Sequence, residues 1–134
     1  MASKKAFYIT TTLPYVNAEP HLGHALEFIR ADVIARYKKS LGFDVFFSTG
    51  TDEHGAKLVE AAKKEGLEVK KYVDKNAASF RELYPKLGIT SEIHHIRTTD
   101  KKHIEAAEEM WRLCMKNGYI DKKTYKTKYC VGCE

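Results

Sequence analysis

A β-branched and aromatic run, Phe7-Tyr8-Ile9 continuing through Thr10 and Thr12, breaks abruptly into the loop Leu13-Pro14-Tyr15-Val16-Asn17-Ala18-Glu19-Pro20 and then into His21-Leu22-Gly23-His24. The first run predicts a strand. From His21 onward the apolar residues Leu22, Ala25, Leu26, Ile29, Val33, Ile34, Tyr37 and Leu41 recur at helical spacing. A strand that feeds a helix through a short loop sets the helix start at the carboxyl edge of a parallel sheet, where open α/β folds bind ligands. Free N–H groups and the helix dipole make that start attractive to phosphate. His21 and His24 are three residues apart and share a helical face, so both can reach one ligand. Gly23 between them leaves room for a flat group near the backbone. Local chemistry alone accommodates equally well two polar histidines at a helix start with no ligand.

The next elements complete a parallel crossover unit. Lys38 and Lys39 suit the end of the helix, and Gly42 is a natural stop. Phe43, Val45, Phe46 and Phe47 form a near-continuous apolar run, the pattern of a strand covered on both faces. That strand ends in Ser48-Thr49-Gly50-Thr51-Asp52-Glu53-His54-Gly55, which the same geometry brings to the carboxyl edge beside the first loop. Asp52 can then face the cleft shared by Tyr15 and His24. A fixed carboxylate there suits a substrate ammonium group, whereas Asp in such a turn also serves commonly as a helix N-cap. Glu53 and His54 read as solvated or structural.

Leu58, Ala61 and Ala62 predict a short helix stopped by Gly66, and Val69 to Leu87 a longer one, with a kink or end at Tyr84 because Pro85 follows. The lysines at 63, 64, 70, 71 and 75 read as solvated helix faces. Residues 92–99 predict a further strand, in which His94 and His95 point to opposite faces and cannot share a metal. A last helix, capped by Thr99 or Asp100, has Ile104, Ala107, Trp111 and Cys114 as its buried stripe and ends at Asn117-Gly118. Residues 119–120 and 124–129 predict a hairpin. Cys130 and Cys133 then form a Cys-x-x-Cys pair, two thiolates of the four that a structural zinc site needs; a redox dithiol is the rival, without the strand and helix context such motifs keep.

At 134 residues the chain is one domain's worth of sequence, able to bury roughly two-thirds of its unfolded surface. No apolar stretch is long enough to span a membrane, and the basic start of the chain is followed by no uniform apolar core of a signal peptide. These features and three cysteines with no secretory signal point to the cytoplasm and away from a disulfide framework. A formal charge of +5 is compatible with a polyanionic partner without specifying one.

Four stretches in order carry a resemblance: FYITTTLPYVNAEPHLGH, DVFFSTGTDEHG, HHIRTTD and YCVGCE. The first resembles the His-x-Gly-His signature of class I aminoacyl-tRNA synthetases, and the ordered set is similar to the methionyl-tRNA synthetase family over essentially the whole chain. The resemblance implies an α/β fold, the first half of a Rossmann-type doubly wound sheet over residues 1–118. It also implies that residues 119–134 begin a connective-peptide insertion bearing a zinc knuckle, with Cys130 and Cys133 as half of its Zn2+ ligands. By the same resemblance Leu13, Tyr15 and Asp52 would bind methionine. His21, Gly23 and His24 would bind ATP, delivered with Mg2+, and the two histidines would act in catalysis. Arg97, Thr98 and Thr99 match the family's pattern and are given no catalytic role. The family's Lys-Met-Ser-Lys-Ser-type loop has no counterpart here. The expectation is therefore an amino-terminal fragment, inactive alone, whose partners are methionine, ATP, tRNA(Met) and the remainder of the synthetase in cis or as a separate subunit. Alternatives are a class I synthetase for isoleucine, valine, leucine or cysteine, a His-x-Gly-His nucleotidyltransferase, or a nucleic-acid-binding module without catalysis.

Overall fold

The computed structural model describes residues 4–89 and 91–130. Three parallel strands, β1 (Ala6–Thr10), β2 (Asp44–Thr51) and β3 (Ile93–Arg97), lie in the order β1-β2-β3. Helix α1 (Leu22–Ser40) makes the crossover from β1 to β2, and α2 (Ala56–Lys64) with α3 (Val69–Lys86) makes the crossover from β2 to β3. Helix α4 (Lys101–Lys116) follows β3. The α/β class and the parallel sheet are those expected from the sequence.

A close backbone approach pins the register of β2 on β3. Gly50 of β2 lies opposite Ile96 of β3, and a Cβ at Gly50 would collide with the Ile96 backbone carbonyl. Only glycine fits there. Helix α1 ends as its sequence indicates, with Lys38 and Lys39 in the last turn and Gly42 at φ 84° just beyond. Helix α3 runs through Pro85 and stops one residue later, rather than at Tyr84. The proline sits in the last turn, where Leu87 N–H still bonds to Leu83 O at 3.0 Å and Gly88 at φ 68° turns the chain out.

Because the strands progress in one direction across the sheet, right-handed crossovers put α1, α2 and α3 on one face. The core forms there. Val16, Phe28, Leu58, Phe80 and Tyr84 meet between the loop, α1, α2 and α3, and Phe47 packs on Ala31 and Ala35 of α1. The other face of the sheet carries Tyr8 and Phe46, both exposed, with Phe46 stacked on His94 at 3.9 Å between ring centroids. The expectation that β2 is covered on both faces is therefore not met: the crossover helices supply one layer only.

The structure also settles the packing face of α1 and corrects two expectations. The most apolar stripe of α1 (Leu22, Leu26, Ile29, Val33 and Tyr37) faces outward, and the buried positions are Phe28, Ala31, Asp32 and Ala35. Helix α4 buries none of its residues, and Trp111 is 58 % exposed; its apolar stripe has no described layer to pack on. Residues 119–130 form no regular secondary structure, so the hairpin is absent from the described residues. Its tyrosines 119, 125 and 129 are all exposed, and an isolated hairpin without a packed face is at best marginal in water.

Candidate functional site

The loop between β1 and α1 is held from both sides. Thr12 donates through its backbone N–H and its hydroxyl to the Glu27 carboxylate, at 2.7 and 2.8 Å. Further on, Val16 is fully buried, its carbonyl accepting from Asn76 Nδ2 at 2.8 Å, while the Asn17 carbonyl accepts from the Tyr72 hydroxyl at 2.7 Å. Asn76 and Tyr72, both on α3, are thus the supports of the loop. They lie 55–60 residues away in sequence, and no local pattern marks them.

At the end of this loop His21 and His24 cap α1 reciprocally. His21 Nδ1 accepts from the Gly23 N–H at 3.1 Å, and His24 Nδ1 accepts from the His21 N–H at 3.2 Å. Two of the helix's orphan donors are satisfied in this way, as in a Ser/Glu capping box. The rings stack, with centroids 3.8 Å apart, and His24 meets the edge of Phe80 at 5.1 Å. A ring nitrogen that accepts carries no proton, so each neutral imidazole holds its hydrogen on Nε2. Burial against α3, then the neighbouring His21, lowers the His24 pKa from its ordinary value, with Glu27 opposing. His24 is accordingly neutral at pH 7 and offers an Nε2–H donor. The flat group that Gly23 admits is the His21 ring itself: a Cβ at Gly23 would lie 2.8 Å from His21 Cε1.

Beside this helix start, the chain pairs Tyr15 with Asp52 as an isolated parallel bridge, closed by Asp52 N–H to the Pro14 carbonyl at 2.9 Å. Leu13 is half-buried and Tyr15 is 43 % exposed. Asp52 does not cap α2; that position belongs to Gly55, at φ 141° and with no side-chain cap. Instead Asp52 Oδ1 takes the His54 N–H at 3.3 Å and the Thr98 hydroxyl at 3.5 Å.

Glu53, expected to be solvated or structural, is structural: its side chain is fully buried. It accepts from Arg97 Nε at 2.6 Å, from the Thr51 hydroxyl at 2.7 Å and from the Thr99 hydroxyl. Burial alone would raise its pKa, but these donors and the Arg97 charge outweigh it and hold the carboxyl below the usual range. Arg97 also reaches Asp74 on α3 at 2.5 Å. A cleft of about 700 Å³ opens next to this cluster, lined in part by His54, Val69, Asp74 and Arg97. Glu53 and Arg97 are 44 residues apart, which is why adjacent-residue logic misses their pairing.

His95 accepts or donates at Nδ1 with the Tyr84 hydroxyl at 3.0 Å. Burial pushes its pKa down to about 4 and that of Tyr84 up to about 12. Cys130 is exposed, and Cys133 lies outside the described residues. Among the described residues no group of three or more His, Cys, Asp or Glu side chains could hold a metal ion.

A three-stranded parallel sheet with its crossover helices on one face, and a histidine-capped helix start after its first strand, defines an α/β protein of the Rossmann-like class. More narrowly, the chain belongs to the family described as tRNA synthetases class I (M), whose profile matches residues 7–134. It is 48 % identical over 128 residues to the methionine–tRNA ligase of Thermotoga maritima, covering 96 % of this chain and 20 % of that protein. With the methionine–tRNA ligase of Brucella suis it shares 40 % identity, covering 96 % of this chain and 25 % of the relative. The crystal structure of Mycobacterium tuberculosis methionyl-tRNA synthetase bound by methionyl-adenylate superimposes with a TM-score of 0.82 at 43 % identity, covering 85 % of this chain and 22 % of that one. An Agrobacterium radiobacter LeuRS–tRNA complex shares the fold, at TM-score 0.77 and 23 % identity over 87 % of this chain and 15 % of that one. The chain spans about a fifth to a quarter of the length of the methionine–tRNA ligases it matches.

Proposed function

We propose that these residues are the part of a cytoplasmic methionine–tRNA ligase that seats ATP and the amino group of methionine. The observation that carries the reading is the pairing of the His21/His24 cap with the Tyr15–Asp52 bridge on neighbouring loops of one sheet edge. In the first step a methionine carboxylate oxygen attacks the α-phosphorus of ATP. The α–β phosphoanhydride bond breaks, giving methionyl-adenylate and pyrophosphate. In the second, the terminal ribose hydroxyl of tRNA(Met) attacks the acyl carbon and AMP leaves. His21 and His24 direct Nε2–H donors at phosphate oxygens, where negative charge shifts as pyrophosphate departs; fixed donors of this kind act mainly on the transition state. Gly23 allows the His21 ring to lie in place. Leu13 and Tyr15 line the methionine site and Asp52 takes the ammonium.

Mg2+ would accompany ATP through its phosphates, and no side chain of this chain is assigned to it. Zn2+ would take Cys130 and Cys133 as two of the four ligands a tetrahedral site needs, Cys130 alone lying among the described residues. Residues 1–118 form the Rossmann-type half and 119–134 open the insertion, with the rest of the synthetase completing the cleft.

The test is methionine-dependent ATP–pyrophosphate exchange by the full-length protein. His24→Ala should lower the exchange rate by ~10²–10³, the usual cost of one donor to developing charge, while methionine affinity changes little. Preferential activation of leucine or isoleucine, or a variant that loses methionine affinity and keeps its rate, would replace this assignment.

A further inference from the structure

Arg97, Thr98 and Thr99, at the end of β3, are given no contact with either proposed substrate, yet all three side chains converge on the Asp52-Glu53 turn. We infer that this segment is a positioning brace for Asp52, with the Thr98 hydroxyl fixing which carboxylate oxygen faces the substrate ammonium. The inference rests on the proposed methionine site and deepens it.

The hydrogen-bond directions decide the geometry. Thr98 Oγ1 accepts the Glu53 N–H at 2.8 Å. Its own proton is then left for Asp52 Oδ1, at 3.5 Å, a long contact at the outer limit of hydrogen bonding. Oδ1 also receives the His54 N–H at 3.3 Å. One oxygen of Asp52 therefore has two donors from its own protein, while Oδ2 has no hydrogen-bond partner among the described residues. A carboxylate so divided has its plane held and one oxygen left for an ammonium N–H.

The residues on either side of Thr98 keep it in place. Thr98 N–H bonds to the Thr51 carbonyl at 3.2 Å, continuing the sheet pairing beyond β3. Arg97 grips Glu53 at 2.6 Å and Asp74 of α3 at 2.5 Å, and Thr99 closes on the other Glu53 oxygen. Glu53 is fully buried, so its three side-chain donors lock the turn rather than sample solvent. Asp52 is adjacent to it and inherits that order. A buried, fully bonded carboxylate next to a half-exposed one is the pattern of a support beside a binding group.

The experiment uses the full-length protein with substitutions at Thr98. Thr98→Val keeps the shape and removes the hydroxyl, and Thr98→Ser keeps the hydroxyl. Two probes compete with methionine: methioninol, which has the ammonium, and 4-(methylthio)butan-1-ol, which lacks it. In Thr98→Val the affinity for methioninol should fall by about tenfold, the scale of a lost hydrogen bond to a charged group. Affinity for the amine-free alcohol and the KM for ATP should stay as in the wild type. Thr98→Ser should restore the methioninol preference. The ratio of the two affinities is a property of folded molecules, so a partly unfolded preparation still reports it. Unchanged methioninol binding in Thr98→Val, an equal loss for both probes, or a Thr98→Ser variant that behaves like Val would each overturn the brace. A wild-type protein that binds no methionine would take down the proposed function and this inference together, whereas a methionine-binding wild type with an indifferent Thr98 removes the brace alone.

Discussion

At the scale of single residues, Gly23 shows how a stability argument and a functional one can be separated. Alanine is the better helix former, by about 1 kcal/mol. Its Cβ, however, would sit 2.8 Å from His21 Cε1 and 3.0 Å from Nδ1, so the ring must swing off the helix start. The lost cap bond costs about 1 kcal/mol. The two effects offset, and Gly23→Ala should leave the thermal midpoint within a few degrees of wild type. The exchange rate should nevertheless drop by about 10² because a phosphate donor has moved. Differential scanning calorimetry beside pyrophosphate exchange tests both halves; an exchange rate of the folded protein that stays at the wild-type value would show that the His21 ring is a structural cap only. The spacing of His21, Gly23 and His24 made the helix start legible. The reciprocal capping was not, because it depends on each ring folding back on the other's backbone.

At the scale of elements, β3 is joined to α3 by its titratable side chains. His95, bonded to Tyr84 of α3, is held neutral by burial, with a pKa of about 4 against an ordinary 6.5. The charges facing it are Arg81 and Arg97, which lower the pKa, and Glu53 and Asp100, which raise it. Between those two values the unfolded chain takes up a proton that the folded chain refuses, so stability must fall as pH drops from about 6.5 toward 4. His24, also lowered, acts in the same direction. Glu53 has the opposite chemistry and a more acidic window: its depressed pKa contributes stability that is lost only as pH falls below the ordinary carboxyl value of 4.5. Thermal midpoints measured from pH 7 to pH 4 should therefore decline, and His95→Gln should flatten the part of the curve above pH 4.5. An unaltered slope in that variant would mean that His95 is protonated in the folded protein. Periodicity alone made the strands, the crossover helices and the Tyr15–Asp52 neighbourhood readable, since each follows from strand and helix period plus the carboxyl-edge rule. It gave a buried stripe for α4 that the described residues do not bury, and it left the packing face of α1 open. A helix that serves two layers has two apolar sides, and spacing cannot say which layer is at hand.

At the scale of the whole molecule, those outward faces are the largest unbalanced feature. Leu22 is 87 % exposed and Tyr37 is 60 % exposed, with Leu26, Ile29 and Val33 between them on one stripe of α1. Tyr8 and Phe46 lie open on the uncovered side of the sheet. Large apolar side chains exposed along a helix stripe and on a sheet face mark interaction sites or association liabilities. Residues 1–134 expressed alone should therefore sediment as concentration-dependent oligomers, and Leu26→Lys with Val33→Glu should restore a monomer. The same segment should not exchange pyrophosphate with ATP in the presence of methionine. It offers two imidazoles at the helix start, but its sequence contains no Lys-Met-Ser-Lys-Ser-type run to bring lysines to the phosphates. A transferring phosphoryl group commonly needs cationic partners in addition to neutral donors. Removing them should cost far more than the ~10²–10³ of a single donor. Exchange by the monomeric double variant at a rate comparable to the full-length protein would show that this half alone stabilises the departing pyrophosphate, and the division of labour argued from His21 and His24 would be wrong.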